Sequence, residues 1–100
     1  MKIVAVTACP TGIAHTYMAA EKLEKTAIKL GHLIKVETQG AMGIENELTQ
    51  ADIDAADVAV LATDIAIEKA DRFGRIRKLQ VPVQAALKDP AAILKQAEIP

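Results

Sequence analysis

The order of apolar runs along this chain predicts an α/β fold, a single domain in which a four-stranded parallel sheet carries helices on both faces. Three observations point there. Strand-like runs alternate with helix-like amphipathic stretches, the order that parallel crossovers need. Two of the runs, Lys2–Thr7 (KIVAVT) and Val58–Thr63 (VAVLAT), are almost continuously apolar, as strands covered on both faces must be. Alanine supplies 19 of the 51 apolar residues, while Tyr17 and Phe73 are the only aromatics, a composition suited to thin helices packed closely on a sheet. One hundred residues is a one-domain length that can bury roughly 65% of its unfolded surface in one core.

The elements follow in order. After the first strand, Ala8-Cys9-Pro10-Thr11-Gly12 forms a loop, and a helical pattern runs from about His15 to Leu30. Ala19, Leu23, Ala27 and Leu30 recur at helical spacing on one side, and Glu21 and Lys25 are ordered for an i,i+4 pair on the other. Gly31 supplies the left-handed residue that stops a helix. Leu33–Thr38 (LIKVET) reads as a second strand whose alternation suggests an edge position, and Gln39–Asn46, with two of the five glycines, reads as a loop. Thr49-Gln50-Ala51-Asp52 has the form of a capping box opening a short helix that ends near Ala56. Val58–Thr63 is the third strand, and its unbroken apolar character makes it central. Asp64–Gly74 reads as a loop with a turn of helix. A fourth strand lies within Ile76–Val83, with Pro82 marking its end or an exposed edge. Asp89-Pro90 pairs an N-cap with proline at the first helical position, and a last helix runs to about Gln96.

Composition removes several classes of function. Twelve basic and thirteen acidic residues leave a net charge of −1, and two aromatics provide no platform for stacked bases, so no nucleic-acid partner is expected. Charges interrupt every apolar run before it reaches membrane-spanning length, and the N-terminal run meets Thr7, Cys9 and Pro10 too early for a signal peptide. A cytoplasmic location with no direct membrane insertion is expected. One cysteine excludes an internal disulfide, and with His15 and His32 as the only imidazoles, no metal and no cofactor are expected.

The segment that carries chemistry is Cys9-Pro10-Thr11-Gly12-Ile13-Ala14-His15-Thr16, between a buried strand and a long helix. In open α/β sheets, ligands bind beyond the carboxyl ends of the strands, where strand order reverses. With the first strand flanked by the second and third, Cys9 lies at that point. The helix that follows presents unpaired N–H groups and a positive dipole end, which favour anions and depress a thiol pKa, so a partly or wholly ionised Cys9 is expected. Gly12 permits a nest of inward-turned amides, and Thr11 and Thr16 add hydroxyl donors. A thiolate among amide donors is the arrangement that phosphoryl transfer to sulfur requires. Other readings fit the same letters. Cys9 also suits a small buried hydrophobe, and His15 suits a plain helix N-terminal residue as well as a catalytic group. A cysteine phosphatase would place arginine where His15 stands and would need a general acid, for which Asp64 is the placed candidate, though it equally suits a helix cap. A monothiol redox protein would use the Cys9–Gly12 turn without a second cysteine, with Val81-Pro82 facing it.

The run Cys9–Glu24 (CPTGIAHTYMAAEKLE) resembles the active-site segment of the fructose-family enzyme IIB domains of the bacterial phosphoenolpyruvate-dependent sugar phosphotransferase system. The resemblance extends through Val36–Gly40, Gly43–Asn46, Asp57–Asp64, Arg72–Gly74 and Ala86–Ala97, nearly the whole chain. It departs in a minor way at Tyr17, where relatives often carry phenylalanine. The resemblance implies a parallel sheet of order 2-1-3-4 and a phosphoryl carrier. Cys9 would accept a phosphoryl group from a phosphohistidine of enzyme IIA and pass it to a sugar bound in the membrane permease, enzyme IIC. It further implies that Pro10, Thr11, Gly12, Ile13, Ala14, His15 and Thr16 cradle the phosphoryl group, and that the domain meets the inner face of the membrane through the permease.

Two surface features are candidates for docking these partners. Arg72, Arg75, Arg77 and Lys78 form a basic cluster around Phe73 and Ile76 that suits either a solvated rim or an acidic partner face. The stretch containing Gln39 and Gly40 lies at the same sheet end as Cys9, as does Asp64.

Overall fold

The computed structural model describes residues 1–10 and 14–99. A central sheet is built from β1 (Lys2–Ala8), β2 (Leu33–Gly40), β3 (Gly43–Glu45), β4 (Val58–Thr63) and β5 (Lys78–Val81), in the order β3-β2-β1-β4-β5. β2, β1, β4 and β5 run parallel, and β3 is antiparallel to β2. The expectation of four strands, all parallel, is therefore corrected. The parallel four keep the expected succession, but a fifth strand of three residues makes the sheet mixed. Gly40 and Gly43 pair across the two-residue link Ala41–Met42, and Gly43 takes φ +84°, a conformation strained for any residue with a side chain. What read as a loop after Thr38 is thus a hairpin, and β2 is an inner strand rather than an edge.

Among the described residues, four helices cover the sheet: α1 (Ala14–Lys29), α2 (Gln50–Asp54), α3 (Val83–Lys88) and α4 (Pro90–Glu98). A 3-10 turn spans Ala70–Phe73. Strand alternation divides the core in two. Ile3, Ala5, Val36, Val58 and Val60 face α1, α3 and α4, meeting Leu23, Ala27, Val83, Ile93 and Leu94. Val4, Val6, Ala59 and Leu61 face the other way, meeting Leu48, Ile53 and Phe73 from the α2 layer.

The local stop and start signals hold. Gly31 follows α1 at φ +83°. Thr49 and Asp52 form the reciprocal capping box of α2, and Asp89 accepts the Ala92 N–H with Pro90 in the first turn of α4. Helix α3 was not foreseen. Proline ends β5, and its six residues are too few to show a helical period. Among the described residues, no helix is long and apolar enough to cross a membrane.

Candidate functional site

β1 lies between β2 and β4, so its carboxyl end is the point where chain connections leave in opposite directions across the sheet. Cys9 follows that end directly, and α1 begins five residues later at Ala14. Thr7 fixes the join between strand and helix. Its hydroxyl donates to the Thr16 carbonyl over 3.0 Å, holding the first turn of α1 against the strand end. Thr7 was missed in the sequence because a threonine closing an apolar strand reads as a β-former.

Cys9 is 9% exposed and lies in the wall of a cavity of about 270 Å³. The wall also includes Pro10, then Gln39, Gly40 and Ala41 from the end of β2, and Ile65, Ala66 and Glu68 from the segment after β4. Three chain segments distant in sequence thus meet around the sulfur. Pro10, Ala14 and His15 are exposed, while Thr16 is fully buried and its hydroxyl has no hydrogen-bond partner among the described residues. Thr11, Gly12 and Ile13, expected in the cradle, lie outside the described residues. Two larger clefts, of about 470 and 480 Å³, lie between α2 and the 3-10 turn and between β5 and the segment after β4. Neither is lined by Cys9.

The docking candidates divide. The Arg72 guanidinium turns inward. The side chain is 9% exposed, donating from Nη2 to Glu37 Oε2 at 2.5 Å and from Nη1 to Glu37 Oε1 at 2.8 Å and to the Leu48 carbonyl at 3.0 Å. It also lies 4.9 Å over the Phe73 ring. Arg77 and Lys78 likewise spend their charge on carbonyls, Arg77 on Ala97 and Gln96 at the end of α4, Lys78 on Gly74 and Ile76. Asp64 is exposed, and its carboxylate accepts the Val83 N–H at 3.1 Å, so it caps α3 from outside that helix. Gly40 lines the Cys9 cavity.

Gln39 is buried, and its amide is taken up by internal hydrogen bonds. Nε2 donates to Glu37 Oε2 at 2.7 Å and to the Glu68 carbonyl at 3.1 Å, while Oε1 accepts the Glu68 N–H at 2.8 Å. Glu37, fully buried, also accepts the Leu48 N–H at 2.8 Å. Burial by itself would push the Glu37 carboxyl up. The donors from Arg72, Gln39 and Leu48 outweigh that and hold it below the ordinary carboxylate range. On the far side of the hairpin, the Tyr17 hydroxyl of α1 donates to the Glu45 carboxylate of β3, tying the edge strand to the helix. That bond raises the tyrosine above its ordinary pKa. Among the described residues, no cluster of three or more histidine, cysteine or carboxylate side chains could hold a metal ion.

The family model for the lactose/cellobiose-specific IIB subunit of the phosphotransferase system matches residues 4–96. A fructose-like EIIB component 2 of Escherichia coli is 50% identical over 97 residues, covering 97% of this chain and 92% of the relative. A 2-O-alpha-mannosyl-D-glycerate-specific EIIABC component of the same species is 50% identical over 95% of this chain, which there makes up 14% of a much longer polypeptide. A solved domain of a fructose-specific IIABC component from Borrelia burgdorferi superposes with a TM-score of 0.91 at 49% identity, covering 96% of this chain and 91% of that one. The chain belongs to the enzyme IIB family of the sugar phosphotransferase system, the phosphotransferase subunits that carry phosphoryl groups during sugar uptake.

Proposed function

We propose that Cys9 is the phosphoryl carrier of this subunit, that enzyme IIA supplies the group, and that a sugar bound in enzyme IIC receives it. The observation that carries this reading is the place of Cys9, in a cavity wall at the carboxyl end of the central strand and just ahead of the N-terminus of α1. There the helix field favours a thiolate and the phosphoryl oxygens it acquires. In the first step, the Cys9 sulfur attacks the phosphorus of a phosphohistidine on the donor. The S–P bond forms as the N–P bond breaks, and the imidazole leaves with the electron pair and takes up a proton. In the second step, a sugar hydroxyl attacks the same phosphorus. The O–P bond forms, the S–P bond breaks, the thiolate returns, and the hydroxyl proton is released.

The residues from Pro10 to Thr16 form the cradle in this reading, with the positive end of α1 favouring the phosphoryl oxygens and exposed His15 as a further donor. A phosphocysteine has to survive until the sugar arrives. No arginine lines the cavity among the described residues, which agrees with a carrier and disfavours a cysteine phosphatase. The fructose-like relatives make a ketose or related sugar our reading of the cargo, while the differing sugar names among relatives agree with recognition residing in the permease.

The test is transfer of a radiolabelled phosphoryl group from phosphorylated enzyme IIA. Wild-type protein takes up label on Cys9, and Cys9→Ser takes up none. Labelling of Cys9→Ser at the wild-type level rejects the phosphocysteine. Steady hydrolysis of an aryl phosphate by the isolated protein would favour the phosphatase instead.

A further inference from the structure

The segment after β4 forms one wall of the Cys9 cavity, yet Ile65 and Ala66 also line the larger cleft toward β5. It is therefore a strap with open space on both sides, held chiefly at its ends. At one end, the Asp64 N–H donates to the Ala8 carbonyl at 3.0 Å, and the Asp64 carboxylate accepts the Val83 N–H. At the other, the Gln39 side chain grips Glu68, next to the Lys69–Glu47 ion pair. The Gln39 amide pairs with both the carbonyl and the N–H of Glu68, as a neighbouring strand would. Ile67 alone packs into the second core.

The orientation of that amide is dictated from beneath. An ionised carboxylate only accepts, so Glu37 Oε2 requires the nitrogen of Gln39 on its side, and this leaves the oxygen aimed at the Glu68 N–H. Glu37 is in turn held by Arg72 and Leu48. A buried ion pair thus sets one amide, and that amide sets the cavity wall facing Cys9.

We infer that Gln39 is a positioning residue for phosphoryl transfer, clasping the Ile65–Glu68 strap so that the cavity around Cys9 keeps its width. The inference rests on Cys9 being the phosphoryl carrier. Misplacement of a reacting site by about 1 Å costs up to about a hundredfold in rate, so loss of the clasp slows acceptance from enzyme IIA by about tenfold to a hundredfold. The effect falls on kcat more than on KM, because the buried side chain acts through the strap rather than by holding the donor.

The substitution is Gln39→Met, which keeps the length of the side chain and removes its hydrogen bonds. Two measurements are made: amide hydrogen exchange at Glu68, and the rate of labelling by phosphorylated enzyme IIA at saturating donor. Slow exchange at Glu68 in the wild type, fast exchange in the variant and a lowered kcat support the clasp. An unprotected Glu68 amide in the wild type overturns it even if the variant fails to fold. So does a folded variant whose kcat equals that of the wild type, since a purely structural side chain would lower Tm and leave kcat unchanged. Labelling of Cys9→Ser in the same assay would remove the functional reading while the exchange data still report on the clasp, so the two failures are distinguishable.

Discussion

Arg72→Met removes two of the hydrogen bonds that Glu37 accepts, those at 2.8 and 2.5 Å, together with the only charge paired with that carboxylate among the described residues. The Leu48 N–H and the Gln39 amide remain. Breaking a buried pair by deleting one partner costs about 3–5 kcal/mol, because the surviving charge stays desolvated. With an unfolding entropy of about 2.1 cal/mol/K per residue, a chain of this length loses about 5 °C of Tm per kcal/mol, so a drop of about 15–25 °C is expected at pH 7. The pH dependence is the sharper test. In the wild type, Glu37 is held below its ordinary 4.5, so its contribution is present above that pH and is lost as pH falls through the folded-state value. In Arg72→Met, burial dominates and raises the carboxyl. The variant is then relatively most stable below pH 4.5 and loses stability as pH rises through the new value. Thermal melts from pH 3 to 8 read both slopes. The double variant Glu37→Leu/Arg72→Met regains much of the loss, since an apolar pair leaves no buried charge. A single-variant loss below about 0.5 kcal/mol, the scatter of an ordinary surface change, would refute the reasoning, as would parallel pH slopes.

Leu23→Ala empties a fully buried site beneath α1 and is expected to cost about 2–5 kcal/mol, read as a Tm shift or denaturant midpoint. Asp64→Ala uncaps α3 and should cost about 1 kcal/mol, seen as faster amide exchange at Val83. Thr7→Val removes the hydroxyl bonded to the Thr16 carbonyl, costs about 0.5–1.5 kcal/mol, and speeds exchange in the first turn of α1. The Asp52 carboxyl, hydrogen-bonded by Lys35 and by the Thr49 backbone, is lowered to about 2. Its support of α2 is present above its ordinary 3.8 and is lost as pH falls through about 2, and in Lys35→Met a carboxyl titration by NMR should move back toward 3.8.

Much of the molecule could be read one residue at a time. The capping box at Thr49, the Asp89–Pro90 start and the Gly31 stop depend on neighbours within a few positions, so the chain states them outright. The placement of Cys9 was legible for a related reason. Covering β1 and β4 on both faces forces them inside the sheet, and the loop leaving β1 then opens at its carboxyl end. Features built from distant partners were not legible. β3 is three residues long and exists only because the Gly40–Gly43 turn folds it back on β2. Helix α3 is too short to show a period and takes its cap from Asp64, 19 residues earlier.

The charges show the same divide most clearly. In the alternation of LIKVET, Lys35 and Glu37 read as the wet side of an edge strand, and Arg72 reads as one of four cations on a rim. Folding buries Glu37 completely and brings Arg72 to it from 35 residues away. A charge in isolation belongs in water, and the sequence treats each one in isolation. It becomes an interior residue only when folding supplies a counter-charge and enough donors to replace its hydration, and that supply depends on which strands lie side by side.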